Sequence, residues 1–280
     1  MKPATLAAAL LLAALAVLAL AAPWIAPSPE ALDLMARMAP PSAAHPLGTD
    51  ELGRDILARL LHGGRVSLAV AGTTALLAAL IGTAVGLWAG YHGGRADAIL
   101  MRLTDGVMAL PLLPLLIVLA AVDPAKLGLE PQAANSEAFA IGRIVAIIAL
   151  VGWTTVARLV RAQTLSVKAR DYVRAAVAVG ATPGRIMLRH ILPNVASPVV
   201  VATTLSVGNI ILIESALSFL GLGIRPPLAS WGNMLTGAMT AIHSAPQLAL
   251  WPGLAIFLTV LAFNLLGDGL QNHFNPRAHT

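Results

Sequence analysis

The stretch that decides the fold is Arg158–Pro193, RLVRAQTLSVKARDYVRAAVAVGATPGRIMLRHILP, a block rich in Arg and Lys inside a chain whose mean hydropathy is +0.80. A chain this apolar keeps a long basic block only where the block has a use. Within it, RDYVRAAVAVG predicts a short amphipathic helix, with Tyr172, Val173, Ala176 and Val177 on one side and Arg170, Asp171 and Arg174 elsewhere on its circumference. Gly180 and the Thr182–Gly184 turn stop that helix and start another carrying Arg185, Arg189 and His190. Pro193 closes the unit where an apolar run resumes. Two short helices at a glycine elbow make a compact knob, which suits docking into another protein's groove; a solvated connecting loop is the plainer alternative.

Around this block the composition sets the class. Of 280 residues, 58% are hydrophobic and 11% charged, which fits an integral membrane protein rather than a soluble domain. There is no Cys, which excludes disulfides and metal–thiolate sites. The net charge of +5 is better explained by basic loops beside membrane helices than by nucleic-acid binding.

A crossing of the hydrocarbon takes roughly twenty apolar residues. Six segments qualify: Ala4–Trp24, Val66–Tyr91, Leu103–Val122, Phe139–Ala157, Val195–Ile213 and Leu248–Leu266. The first follows Lys2 and reads as a retained anchor, although Ala19–Ala21 also matches a signal-peptidase pattern. The second carries Gly82, Gly86 and Gly90, a ridge that admits close helix packing. Pro111 and Pro114 predict a kink in the third. The Arg158–Arg189 cluster, with Lys2, Arg95, Arg102 and Arg277, outweighs Arg37, Arg54, Arg59, Arg65, Lys126, Arg143 and Arg225 on the other side, so both termini are expected in the cytoplasm.

Pro27–Arg65 then reads as external. Thr49 or Asp50 is expected to cap a surface helix with Leu52, Ile56, Leu57, Leu60 and Leu61 on its apolar side, and Asp50, Glu51 and Asp55 as solvated charges. The expected organisation is residues 1–64 as an anchor plus external amphipathic segment, and 65–280 as a five-helix transport domain with the knob at 158–193.

These residues resemble a family. The order Ala175-Ala176, three residues, Gly180, then Leu192-Pro193 looks like the cytoplasmic loop of binding-protein-dependent ABC importer permeases. HPLGTDELGRD from His45, ESALSFLGLGIRPP from Glu214, SWGNML from Ser230 and LAFNLLGDGL from Leu261 resemble the second permease subunit of the dipeptide, oligopeptide and nickel subfamily. The likeness runs from His45 to Arg277, with Arg174 where that family often has Glu and His190 where it has Ile.

The resemblance implies an all-α permease of the type I importer fold, with six transmembrane helices in a bacterial inner membrane. Arg174, Ala175, Ala176, Gly180, Ala181, Arg185, His190, Leu192 and Pro193 would form the loop that couples to the ATPases. It also implies a second homologous permease, two ABC ATPase subunits and an extracytoplasmic solute-binding protein as partners, with no nucleic acid. No G-x-x-x-x-G-K-[ST] loop occurs in the sequence, so ATP and Mg are expected at the partner subunits, with no cofactor on this chain. Peptides are the expected cargo, with nickel as the alternative.

Polar residues inside membrane spans are functional suspects. Asn209 and Glu214, which flank the outer half of the fifth segment, and Trp231 beyond it are candidates for the pathway or an external gate; Asn264 and Asp268 flank the inner half of the sixth. An intramembrane aspartyl dyad of Asp105 and Asp268 is a rival reading, but the order L-G-D-G around Asp268 is not that of such proteases. The seven His residues form no metal pattern and no catalytic residue is expected. An autonomous channel or secondary carrier would account for six spans but not for the knob.

Overall fold

The computed structural model describes residues 3–123 and 136–274; Lys2, Lys126 and Arg277 of the orientation argument lie outside them. Nine α-helices are described, α1 (Pro3–Ile25), α2 (Ile56–His92), α3 (Gly94–Ala109), α4 (Leu112–Ala121), α5 (Glu137–Lys168), α6 (Asp171–Ala178), α7 (Pro183–Phe219), α8 (Trp231–Thr240) and α9 (Gln247–Phe274), with a short 3-10 helix at Leu34–Ala36. Five of them are long and apolar enough to cross a membrane, and the bent pair α3 and α4 makes a sixth candidate. The chain is an all-α polytopic membrane protein.

α2 forms the spine and packs along α5. Gly82, Gly86 and Gly90 make that contact close: a Cβ on Gly82 would stand 2.5 Å from the Trp153 carbonyl oxygen, and one on Gly90 2.7 Å from Thr164 Cβ. Between helices that share a lipid solvent, such backbone proximity supplies dispersion contact that hydrophobicity alone does not. α1 lies against α9 and α2 through its small residues, with Ala8, Ala19 and Ala22 buried and Leu6, Leu10, Val17 and Leu20 exposed on the opposite face. A core of Val70, Ile148, Ile211, Leu217, Ile224 and Trp231 joins α2, α5, α7 and α8.

The structure departs from several expectations. The external amphipathic helix does not form. Asp50 accepts hydrogen bonds from the N–H groups of Leu52 and Arg54, and Gly53 at φ +73° stands against the Asp33 backbone, so the segment turns instead. Helix begins only at Ile56, where Asp55 caps it by accepting from the Ala58 N–H at 2.7 Å, and it then runs unbroken through Gly63 and Gly64 to His92. The domain boundary at 64/65 therefore falls inside α2. The acidic residues are not a solvated face either: Asp55 is buried and meets His45 Nδ1 at 2.9 Å, and Asp50 pairs with Arg54 at 2.7 Å.

The third span is broken rather than kinked. Leu110 takes the extended conformation that a following proline favours, and α3 and α4 meet at 88°. Finally, α5 runs well past its apolar stretch, so Arg158, Arg161 and Lys168 belong to a helix and not to a loop. Carboxylates on α3 make this possible: Arg158 pairs with Asp105, and Arg161 Nη2 reaches Asp97 Oδ2 at 2.6 Å.

Candidate functional site

The knob is α6 and the start of α7. Asp171 opens α6 with a negative charge on its first turn. Val173 turns inward onto Val160, Ile186, Ile191 and Val195, which seats the short helix on α5 and α7. α6 ends in a Schellman turn: the Gly180 N–H donates to the Val177 carbonyl at 2.9 Å and the Ala181 N–H to the Ala176 carbonyl at 3.0 Å. Gly180 has φ +83°, a left-handed conformation that an L side chain resists, although a Cβ there would meet open space. Thr182 is extended and Pro183 occupies the first turn of α7, where its missing N–H is not needed.

α7 carries one irregularity. Met187–Ile191 is π-helical, with the Leu192 N–H donating to the Met187 carbonyl. Pro193 has no N–H for the carbonyl four residues back and its ring crowds that turn, and the widened turn accommodates it. The Asn194 side chain donates to the His190 carbonyl at 2.7 Å.

The helix period separates the apolar side read from sequence. Val173 is buried and Ala176 half-buried, while Tyr172 and Val177 face outward. Arg170, Arg174, Arg185, Arg189 and Pro193 are exposed; Ala181, His190 and Leu192 are half-buried. Val179, at 88% exposure, joins Tyr172 and Val177 as an exposed apolar side chain of the knob. Its signal in the sequence was an apolar residue placed after the periodic run, just ahead of the glycine stop.

At the opposite end of α7 the structure gathers Glu214 and Trp231 into one buried knot. Glu214 has no exposed surface; its carboxylate accepts from Ser218 Oγ at 2.7 Å and from Ser67 Oγ at 3.3 Å. Ser67 Oγ in turn accepts the Trp231 N–H at 3.2 Å, and the Trp231 indole N–H donates to the Leu60 carbonyl at 2.9 Å. Ser218 Oγ also accepts the Ile224 N–H at 2.9 Å. Ser230 and Asn233 form a capping box at the start of α8. α2, α7, the following loop and α8 are thus tied through one carboxylate, with Gly64 close enough that a Cβ would stand 2.9 Å from the Trp231 ring. Asn209 is exposed on α7 and does not join this knot.

The remaining charges take up other positions. Asp105 of the rival dyad pairs with Arg158, and Asp268 is exposed on α9. Lys168 Nζ donates to the Tyr91 carbonyl at the end of α2 and lies 5.2 Å from the Tyr91 ring centroid. Among the described residues no group of three His, Cys, Asp or Glu side chains could hold a metal ion.

Residues 82–280 match the family model described as binding-protein-dependent transport system inner membrane component. The chain is 43% identical over 237 residues to the glutathione transport system permease protein of Pectobacterium atrosepticum, covering 85% of this chain and 74% of that one. It is 41% identical over 242 residues to the dipeptide transport system permease protein of Alkalihalophilus pseudofirmus, covering 86% and 75%. With the di/tripeptide transport system permease protein of Pseudomonas aeruginosa the identity is 40% over 268 residues, covering 92% and 83%.

Proposed function

As the chain belongs to the family of binding-protein-dependent transport system inner membrane components, we propose that it is one of two related permeases forming the pathway of an ATP-driven importer for short peptides. The substrate class follows the names of the dipeptide, di/tripeptide and glutathione permeases it resembles, and those names favour peptide over nickel. Two ABC ATPases would supply the energy, holding ATP and Mg on their own chains, and an external binding protein would deliver the ligand. Both termini then lie in the cytoplasm, with the knob of α6 on the same side and the segment before α2 outside.

The observation that carries this reading is the knob: a helix seated by Val173 and stopped at a left-handed Gly180, with Tyr172, Val177 and Val179 exposed among four arginines. Apolar anchors within a polar rim are what a docking surface presents. ATP-driven closure of the ATPases would push the knob, and α7 would carry the displacement toward Glu214 and Trp231, which we place at the external gate. Asn209, exposed on the same helix, would face the pathway.

The test is extraction of a tagged copy in mild detergent followed by identification of the co-purifying chains, then peptide uptake in vesicles. Two ATPases, a second permease and uptake that needs both ATP and the binding protein support the proposal. Uptake driven by an ion gradient without ATP would overturn it.

A further inference from the structure

The start of α2, the loop after α7, and α8 enclose a cleft of about 270 Å³. Ile56, Ile224, Met234, Ala238 and Leu248 give it apolar walls. Its charges do not balance: the guanidinium groups of Arg54, Arg59 and Arg225 line it against only two carboxylates, Asp50 and Glu51.

The carboxylates are already engaged. Asp50 accepts the Leu52 and Arg54 backbone N–H groups at 2.9 and 3.0 Å and the Arg54 side chain at 2.7 Å. Glu51 accepts the Thr240 hydroxyl. Arg225 Nε donates to the Gly221 carbonyl at 3.0 Å. Arg59 is left over. It is 4% exposed, and its Nη1 has no hydrogen-bond partner, lying 3.4 Å from the Asp50 oxygen that Arg54 already holds. A buried guanidinium with an idle donor favours an anion strongly, because its fork of N–H groups matches a carboxylate and water is largely excluded.

We propose that this cleft binds one carboxylate carried on a small apolar body, the C-terminal end of a short peptide, with Arg59 receiving the carboxylate and the apolar walls taking the terminal side chain. The volume and the single unmatched positive charge select a monoanion of that size over a larger polyanion. That the bearer is a peptide rests on the substrate class proposed above. In the orientation proposed there the cleft opens outward, where ligand arrives from the binding protein.

The test uses the purified transporter complex in lipid nanodiscs without its binding protein, titrated calorimetrically with Ala-Leu and with its C-terminal amide. The free acid is expected to bind about tenfold more tightly than the amide. Arg59→Gln is expected to abolish that difference and Arg59→Lys to retain part of it. Gly237→Leu supplies a variant that leaves Arg59 in place: Gly237 lines the cleft, and a Cβ there meets open space, so the larger side chain fills the cavity without displacing a neighbour. It is expected to fold as the parent does and to lose acid binding.

Equal binding of acid and amide, or parental binding in Gly237→Leu, would overturn the proposal. So would displacement of the peptide by sn-glycerol 3-phosphate at lower concentration than Ala-Leu itself requires, since the site would then be one for a lipid headgroup. ATP-dependent uptake of Ala-Leu by the complete parent transporter separates the two readings. Its absence removes the peptide assignment; its presence, with uptake and binding at parental levels in both Arg59→Gln and Gly237→Leu, removes the cleft alone.

Discussion

Gly86 of α2 lies directly against the Ala157 carbonyl of α5, so that a Cβ at that position would strike the facing backbone, Val160 Cβ and the Arg161 nitrogen together. The neighbouring helix cannot yield there without moving its own main chain. Gly86→Leu is therefore expected to destabilise the protein by about 1–3 kcal/mol or more, as overpacking does. Gly72→Leu, on the same helix but facing open space, should leave stability unchanged. Thermal unfolding of the two purified variants in detergent compares them directly.

A different kind of glycine sits at the knob. Gly180→Val meets no neighbouring atom but must hold φ near +83°, which costs on the order of 1–2 kcal/mol and reshapes the turn. The variant is expected to accumulate in the membrane at parental levels while ATP hydrolysis no longer drives uptake. Unchanged uptake would rule out a coupling role for this turn.

The exposed apolar side chains of the knob give a separate handle. Tyr172→Asp and Val179→Asp should leave the fold intact, because neither residue is part of the core, and should lower ATPase recovery in pull-downs by about tenfold for each anchor removed. Retention of the ATPases by the double variant would move the docking surface elsewhere.

Glu214 holds two serine hydroxyls in the buried knot. Glu214→Gln keeps the shape and one acceptor oxygen, whereas Glu214→Leu strands Ser67 and Ser218 and should cost about 2–4 kcal/mol. Thermal unfolding should rank parent, Gln and Leu in that order. Full uptake by Glu214→Gln would remove Glu214 from the gate.

The two ion pairs between α3 and α5 can be tested by a double-mutant cycle. Asp97→Asn and Arg161→Gln singly should each destabilise more than the pair together, with a coupling of about 1–3 kcal/mol for a bidentate, partly buried pair. Additive losses would mean that the Asp97–Arg161 pair does not help hold α3.

Which parts of this were legible in the sequence follows from what a linear pattern encodes. Five of the long apolar runs became helices because length and hydropathy suffice for a span, and the Gly82, Gly86 and Gly90 spacing marked a helix interface that formed. The knob was readable because Gly180 and Pro183 act through their own backbone. The helix predicted at Thr49 or Asp50 did not form, because the Asp50 side chain captures the N–H groups that a helix would use, a competition that apolar periodicity does not register. Arg158 and Arg161 looked like loop residues because their neutralising partners, Asp105 and Asp97, lie more than fifty residues earlier in the chain. The gathering of Glu214, Ser67 and Trp231 is tertiary: no local motif joins α2 to α8.

α7 has one further consequence. Pro183 beside the knob and Glu214 in the knot belong to a single helix of 37 residues, about 55 Å from end to end. A rod of that length cannot tilt at one tip while the other stays level. Nor can it twist freely, because Glu214 near its far tip is tied to α2 through the Ser67 hydroxyl. Its winding loosens at Met187–Ile191, close to the knob. In the importer proposed above the helix would act as a shaft with a compliant collar beside the knob and a keyed fitting at the far end, so a stroke at the collar would arrive as rotation of that fitting.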